Sequence, residues 1–128
     1  MNLFVDENIN LEEASQIHAG KLFKAVDENR EHLSTFLPWV GNMQNVEDMK
    51  NYLINCESLS AAGKEKSFVI FYKYELVGRI GLHYINTQNK QAAIGYWVTK
   101  AAQGNGIIFK SCKALITYGF NKLNLHRI

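Results

Sequence analysis

The stretch of sequence that decides the fold is Gln103-Gly104-Asn105-Gly106-Ile107-Ile108. It follows a strand-like run over residues 93–98 and precedes a run with helical periodicity over residues 107–123. A glycine-rich turn between a strand and a helix start leaves several backbone N–H groups unpaired, and the helix dipole adds partial positive charge there. The turn therefore suits a phosphate or a pyrophosphate, although two glycines in four residues also fit an ordinary tight turn.

The composition indicates one globular domain. The 128 residues are 47% hydrophobic and 20% charged, which argues against disorder, and a net charge of +2 does not favour a nucleic-acid partner. Cys56 and Cys112 fall within helical patterns and lack the spacing of metal ligands, so we expect no metal site. Residues 1–7 lack the features of a signal peptide and no apolar run is long enough to span a membrane, so we expect a cytoplasmic protein.

The apolar pattern predicts a short strand at residues 9–11 and then three helices over residues 17–26, 31–37 and 46–62. The second helix must end before Pro38, because the residue before a proline disfavours helical geometry. Asn45 is a good N-cap for the third helix, with Asp48 at the N3 position, and Gly63 is a plausible residue to end it.

Three strand-like runs follow, over residues 68–72, 76–82 and 92–98, and short polar turns join them. Such turns predict an antiparallel meander rather than crossover units. The first turn, Lys73-Tyr74-Glu75, has neither Gly nor Asn at its tip. After the last helix, Leu125-His126-Arg127-Ile128 resembles the start of a further strand. The expected fold class is α/β of the α+β type, with three to four antiparallel strands packed by three to four helices.

Three blocks of residues carry a resemblance. The first is Asn29-Arg30-Glu31-His32-Leu33 running into Phe36-Leu37-Pro38-Trp39, and the second is Leu76-Val77-Gly78-Arg79-Ile80-Gly81-Leu82-His83. The third runs from Ile94-Gly95-Tyr96-Trp97 through the glycine turn to Arg127. In these blocks the chain resembles the GNAT acetyltransferase superfamily, and within it the RimJ/RimL-type ribosomal-protein N-acetyltransferases.

The resemblance implies that acetyl-coenzyme A (acetyl-CoA) binds at a splay between two parallel strands. The backbone of Trp97 and Val98 would pair with the pantetheine arm, and the N–H of Val98 would act as the oxyanion donor. Six turn residues would hold the pyrophosphate: Gln103, Gly104, Asn105, Gly106, Ile107 and Ile108. The implied reaction is direct attack of a neutral amine on the thioester. The resemblance favours an N-terminal α-amine of a ribosomal or other protein as the acceptor, and the alternatives are the polyamines, amino acids and antibiotics that related acyltransferases take.

Fewer residues are candidates for the general base and for the acceptor site. Many members of the superfamily carry a glutamate, a candidate general base, at the position of Ala93. His83 is the titratable candidate that remains here, because histidine is the side chain most often used as a general base; the alternative is a hydrogen-bonded histidine at a strand end. Phe36 and Trp39 are candidates for the wall of the acceptor site, and the alternative is a loop folded onto the core.

Members of the superfamily continue past the equivalent of Ile128 with the rest of a strand, a helix and two further strands, on the order of fifty residues. We therefore expect residues 1–128 to be a single, incomplete acetyltransferase domain. The strand over residues 92–98 would then have an unprotected edge that invites homo-oligomerisation. The alternative function is a non-catalytic remnant that binds CoA or oligomerises. A P-loop protein is disfavoured, because Phe109 stands where that motif requires a glycine.

Overall fold

The computed structural model describes residues 1–128 and has five strands and four α-helices. The strands are β1 (Asn2–Phe4), β2 (Ile9–Glu13), β3 (Lys66–Tyr72), β4 (Glu75–Asn86) and β5 (Gln91–Val98). The helices are α1 (Ala19–Asp27), α2 (Arg30–Ser34), α3 (Val46–Ala61) and α4 (Ile107–Lys122). Short 3-10 helices cover Gln16–His18, Pro38–Asn42 and Lys100–Ala102. None of the helices is both long and apolar enough to cross a membrane.

The strands form one antiparallel sheet in the order β1-β2-β3-β4-β5, which confirms the predicted meander. The sheet has five strands, so the expectation of three to four was too low. The sequence did not reveal β1, because its three residues are too few to show an alternating pattern. Pairing with β2 orders it, with Leu3 opposite Leu11. The second predicted helix is also shorter than expected and ends at Ser34.

The sheet separates two apolar cores. The core on one face includes Val69 and Trp97 and is covered by α1, α2 and α3. The core on the other face includes Ile80 and Val98 and is covered by α4. Because successive side chains of a strand point to opposite faces, the neighbours Trp97 and Val98 belong to different cores. The end of β5 therefore anchors both layers of the molecule.

The ends of α3 form as the sequence predicts. The N–H of Asp48 donates to Oδ1 of Asn45 at 2.9 Å, and the N–H of Asn45 donates to Oδ2 of Asp48 at 3.3 Å. At the other end Gly63 has a φ of +73°, and the N–H of Lys64 donates to the carbonyl of Leu59 at 2.9 Å. These bonds satisfy backbone groups that a helix otherwise leaves unpaired at its ends.

The segment after α4 returns to the sheet beside β5. Arg127 forms a single parallel bridge with Gln91, and the N–H of Ala92 donates to the carbonyl of Arg127 at 3.0 Å. The expected further strand is thus present here as one bridge. Along the rest of β5, the side away from β4 has no neighbouring strand.

Candidate functional site

A cavity of about 320 Å³ lies between the end of β5 and the start of α4. Its lining residues come from the loop after α2, from β5, from the turn and from the first turn of α4: Phe36, Tyr96, Trp97, Val98, Ala102, Gln103, Gly104, Gly106, Ile107, Ile108 and Phe109. None of these side chains is charged, so an anion bound here would depend on backbone groups. Larger cavities, of about 430 to 700 Å³, lie elsewhere, among them one of about 620 Å³ beside β2 and one of about 700 Å³ beside the β4–β5 turn. Size alone does not select the site.

Six consecutive backbone N–H groups, those of residues 104–109, donate to no acceptor in the protein. Gly104 and Gly106 have φ values of +85° and +70°, and Gly106 is the N-cap of α4 without any capping side chain. The first paired N–H of the helix is that of Lys110, which donates to the carbonyl of Gly106 at 3.1 Å. Free N–H groups at the positive end of a 16-residue helix attract anions. We call residues 104–109 the anion cradle.

The outer edge of β5 borders the same cavity. The N–H of Ala92 points outward to Arg127, whereas the N–H of Thr99 points inward and donates to the carbonyl of Val77 at 2.8 Å. Backbone groups alternate in direction along an antiparallel strand, so even-numbered residues direct their N–H and C=O groups away from β4. These residues are Ile94, Tyr96 and Val98. The edge thus offers hydrogen-bonding groups to an extended ligand.

The structure brings most of the predicted cofactor residues to this cavity, and Phe36 with them. Asn105 is an exception, because it does not line the cavity and its side-chain amide donates to the carbonyl of Ala102 at 3.1 Å, which closes the turn. Trp39 is a second exception. Its ring stacks on Tyr52 with centroids 6.2 Å apart and lies 6.3 Å from the ring of Trp97, so it packs behind the cavity. The ring of Trp39 thus packs against the core, and a role of Trp39 in the acceptor site stays a prediction.

Two hydrogen bonds tie the start of α2 to the turn. The N–H of Lys100 donates to Oδ1 of Asn29 at 3.1 Å, and the side chains of His32 and Gln103 are 3.0 Å apart between their Nε2 atoms. Sequence reasoning found neither contact, since each joins residues 71 positions apart.

Sequence reasoning also missed three lining residues, Tyr96, Ala102 and Phe109. Alternation along β5 could have identified Tyr96, because it shares the outward edge with Val98.

His83 does not lie at this cavity. In the β4–β5 ladder it is opposite Ala93, whereas Val98 is opposite Gly78. Those two positions of β4 are five residues apart, which corresponds to about 17 Å along a strand. His83 instead lines the cavity of about 700 Å³ beside the β4–β5 turn.

A partly buried carboxylate, that of Glu65, holds the ring of His83. Nδ1 of His83 lies 2.7 Å from Oε1 of Glu65, and Oε2 of Glu65 accepts a hydrogen bond from Ser67 Oγ at 2.8 Å. Nη2 of Arg79 is 3.7 Å from the same Oε2. Burial alone would raise the pKa of Glu65, but the hydrogen bonds from His83 and Ser67 and the charge of Arg79 outweigh it and lower the pKa to about 2. Glu65 is therefore ionised at neutral pH.

Comparison with known proteins finds one family. Residues 8–128 match the family described as acetyltransferase (GNAT) domain. The chain is 34% identical over 112 residues to the ribosomal-protein-serine acetyltransferase of Escherichia coli (strain K12). The aligned residues cover 88% of this chain and 63% of that protein. It is 30% identical over 127 residues to YdaF of Bacillus subtilis (strain 168), covering 97% of this chain and 68% of YdaF. The chain thus spans about two thirds of the length of these relatives.

Two solved structures have a similar backbone. One is RimL, a ribosomal L7/L12 alpha-N-protein acetyltransferase in complex with coenzyme A, with a TM-score of 0.89 and 29% identity over 92% of this chain and 67% of that chain. The other is the microcin C7 self immunity acetyltransferase MccE in complex with acetyl-CoA and AMP, with a TM-score of 0.89 over 94% of this chain and 67% of that chain. Its 23% identity supports similarity of fold alone.

Proposed function

Because the chain belongs to the acetyltransferase (GNAT) domain family, we propose that it transfers an acetyl group from acetyl-CoA to an amine nitrogen. One observation carries the proposal, namely that the anion cradle and the open edge of β5 border one cavity. The cradle suits a doubly charged pyrophosphate. The edge suits an extended chain that contains amides, because such a chain can pair with it as a strand does. Coenzyme A joins these two parts, a pyrophosphate and a pantetheine arm with two amides.

The order of groups in the ligand fits the order of groups along β5. Val98 is the outward residue nearest the cradle, so its N–H would meet an amide carbonyl of the arm first. The next outward N–H along β5 is that of Tyr96. The thioester carbonyl lies beyond the amides of the arm, so it would lie opposite this N–H. We therefore move the proposed oxyanion donor from Val98 to Tyr96 and assign Val98 to the arm. A donor fixed in a strand stabilises the developing negative charge without reorganising.

The acceptor that we propose is the N-terminal α-amine of a protein. The relatives support this choice through their names, a ribosomal-protein-serine acetyltransferase and an alpha-N-protein acetyltransferase. Transfer would be a direct attack of the neutral amine on the thioester, and no Ser, Cys, Lys or His side chain lines the cavity to form a covalent intermediate. Phe36, half of whose surface is exposed, lies at the cavity as a contact for the arriving acceptor.

Isothermal titration with acetyl-CoA and with acetyl-pantetheine tests the cofactor assignment. We expect acetyl-CoA to bind and acetyl-pantetheine, which lacks the pyrophosphate, to bind at least tenfold more weakly. Equal affinities would contradict the role of the cradle, and no binding of acetyl-CoA to folded protein would contradict the function. Mass spectrometry of a synthetic peptide with a free N-terminal serine then tests transfer. Binding without acetylation of the peptide would favour a non-catalytic CoA-binding protein.

A further inference from the structure

The hydrogen bond between His83 and Glu65 determines which ring nitrogen of His83 is free. An ionised carboxylate can only accept, so Nδ1 of His83 must carry the proton in the 2.7 Å contact with Glu65. Nε2 of the neutral ring then has an unused lone pair, because no hydrogen bond of the protein involves that atom. A carboxylate that orients an imidazole through Nδ1 and leaves Nε2 free is the arrangement that prepares a histidine to accept a proton.

A second histidine–glutamate pair shows that this arrangement is not general in the chain. The N–H of Ser15 donates to Nδ1 of His18 at 3.1 Å, so Nδ1 is unprotonated there. Nε2 of His18 must then carry the proton, and it lies 3.0 Å from Oε1 of Glu12. Both nitrogens of buried His18 are occupied by partners. The pair of His18 and Glu12 is structural and has no free lone pair.

The free nitrogen of His83 lies against β5. A Cβ placed on Gly95 would be 3.3 Å from both Nε2 and Cδ2 of His83, so that edge of the ring rests on the glycine. Gly95 directly precedes Tyr96, and adjacent Cα atoms are about 3.8 Å apart. The thioester position proposed above, at the N–H of Tyr96, is therefore next to the residue that His83 touches.

His83 is also accessible. Its side chain is 22% exposed and lines the cavity of about 700 Å³ beside the β4–β5 turn. The ring is therefore reached from solvent through that cavity and not through the cofactor cavity.

We propose that His83 is the general base of the acetyl transfer and that Glu65 is the residue that positions it. The inference rests on the proposed function. The ammonium form of the acceptor gives one proton to Nε2 of His83, and the neutral nitrogen then attacks the thioester carbonyl. As the C–N bond forms and the C–S bond breaks, the second proton of the nitrogen passes to the leaving thiolate. His83 releases its proton to solvent, so each turnover yields the amide, CoA thiol and one proton.

The charged and titratable groups around His83 come from two elements. Lys64 and Glu65 belong to the segment after α3, Arg79 and Tyr84 belong to β4, and the facing residues of β5, Ala93 and Gly95, do not titrate. Glu65 is the only one of these groups that contacts the ring through a hydrogen bond. Removing its negative charge should therefore make the ring a weaker base.

The test is the pH dependence of kcat with acetyl-CoA and a synthetic peptide that has a free N-terminal serine. For the wild type we expect kcat to fall at low pH with unit slope as His83 becomes protonated. His83→Asn should lower kcat about 100-fold and abolish that slope. In Glu65→Gln the side-chain amide oxygen can still accept a hydrogen bond from Nδ1. The kcat of this variant should therefore still fall with unit slope, but at lower pH than in the wild type. The KM for acetyl-CoA should stay within twofold in both variants, because the cradle is elsewhere.

Glu12→Gln is the matched control, since it removes the carboxylate that contacts His18. The pH dependence of kcat in this variant should be the same as in the wild type. The inference would be overturned if the kcat of His83→Asn still fell at low pH, or if the fall in Glu65→Gln occurred at the same pH as in the wild type. Either result would leave the proposed function standing. An inactive wild type would contradict both. Nitrogen-15 spectra of the histidine rings give a second readout that needs no turnover, and a His83 ring protonated at Nε2 at neutral pH would also overturn the inference.

Discussion

Gly104 and Gly106 shape the anion cradle through their backbone conformation. Both have positive φ values, yet a Cβ at either position would meet nothing within 4 Å. Any other residue would be strained there by about 1–2 kcal/mol, because an L side chain crowds the following carbonyl in the left-handed region. These glycines are thus required for the direction in which the N–H groups point.

Gly106→Ala should weaken binding of acetyl-CoA about tenfold, because relief of the strain turns the N–H groups away from the pyrophosphate. It should also lower the free energy of unfolding by about 1 kcal/mol. Isothermal titration and urea denaturation measure the two effects. Gly63→Ala is the matched control, since Gly63 has a φ of +73° and equally open surroundings but ends α3. Equal loss of affinity in both variants would show that the effect on binding is not local.

Whether a residue could be predicted from the sequence depended on how local its partners are. The capping of α3 by Asn45 and Asp48 was predictable, because a capping box lies within four consecutive residues. The pairing of His83 with Glu65 was not, since it spans 18 positions and depends on the register between β3 and β4. The stacking of Trp39 on Tyr52 was not predictable either, because an aromatic residue after a proline does not reveal which side of the loop it faces.

At the scale of elements, the β3–β4 hairpin contains an unfavourable turn. Lys73 and Tyr74 both have positive φ values, 50° and 69°, as a two-residue turn with the twist of the strands requires. Residues other than Gly, Asn and Asp are disfavoured there. The hairpin forms regardless, because β3 and β4 bury their apolar side chains in both cores. Tertiary burial outweighs local preference in this case.

Tyr74→Gly should raise the free energy of unfolding by about 1 kcal/mol, since glycine adopts a positive φ without strain. Tyr74 is 96% exposed, so little packing is lost. Urea denaturation of the variant and the wild type measures the difference. An unchanged or lower stability would mean that the conformation of this turn is not strained in the folded protein.

The order of elements was predictable because each strand run and each helix has its own periodicity. The exceptions were the shortest elements. β1 and the 3-10 helices have three to five residues, which is too few for a repeat to appear. The bridge between Gln91 and Arg127 was foreseen only as the start of a strand. Its partner was not visible in the sequence, because pairing across α4 depends on tertiary packing.

For the whole molecule, Glu65 makes stability depend on pH at the acid end. Its pKa lies at about 2 in the folded protein, below the ordinary value of 4.5. A carboxylate with a lowered pKa contributes its full stabilisation above pH 4.5 and loses it as the pH falls towards 2. The expected loss is at most about 3–4 kcal/mol, since one pKa unit corresponds to about 1.4 kcal/mol. Urea denaturation between pH 7 and 2.5 should show a smaller loss in Glu65→Gln, and equal losses would contradict the assignment.

The open edge of β5 also bears on assembly. The same outward groups, at Ile94, Tyr96 and Val98, can pair with the pantetheine arm or with a strand of a second copy. One edge cannot do both, so any homo-oligomer formed through β5 should dissociate when acetyl-CoA saturates the site. Light scattering after size-exclusion chromatography, with and without acetyl-CoA, measures the change. A homo-oligomer that persists at saturating acetyl-CoA would show that its interface is not the edge of β5.

The aromatic cluster behind the cavity has an optical consequence. Trp39 and Trp97 are the two tryptophans of the chain, and their rings lie 6.3 Å apart. Trp97 lines the cavity between β5 and α4, and both rings belong to the core shared by α1, α2 and α3. The intrinsic fluorescence of the protein therefore arises at one place. We therefore expect the tryptophan emission to change when a ligand occupies the cavity and when the core unfolds, which would allow binding to be followed without an attached dye.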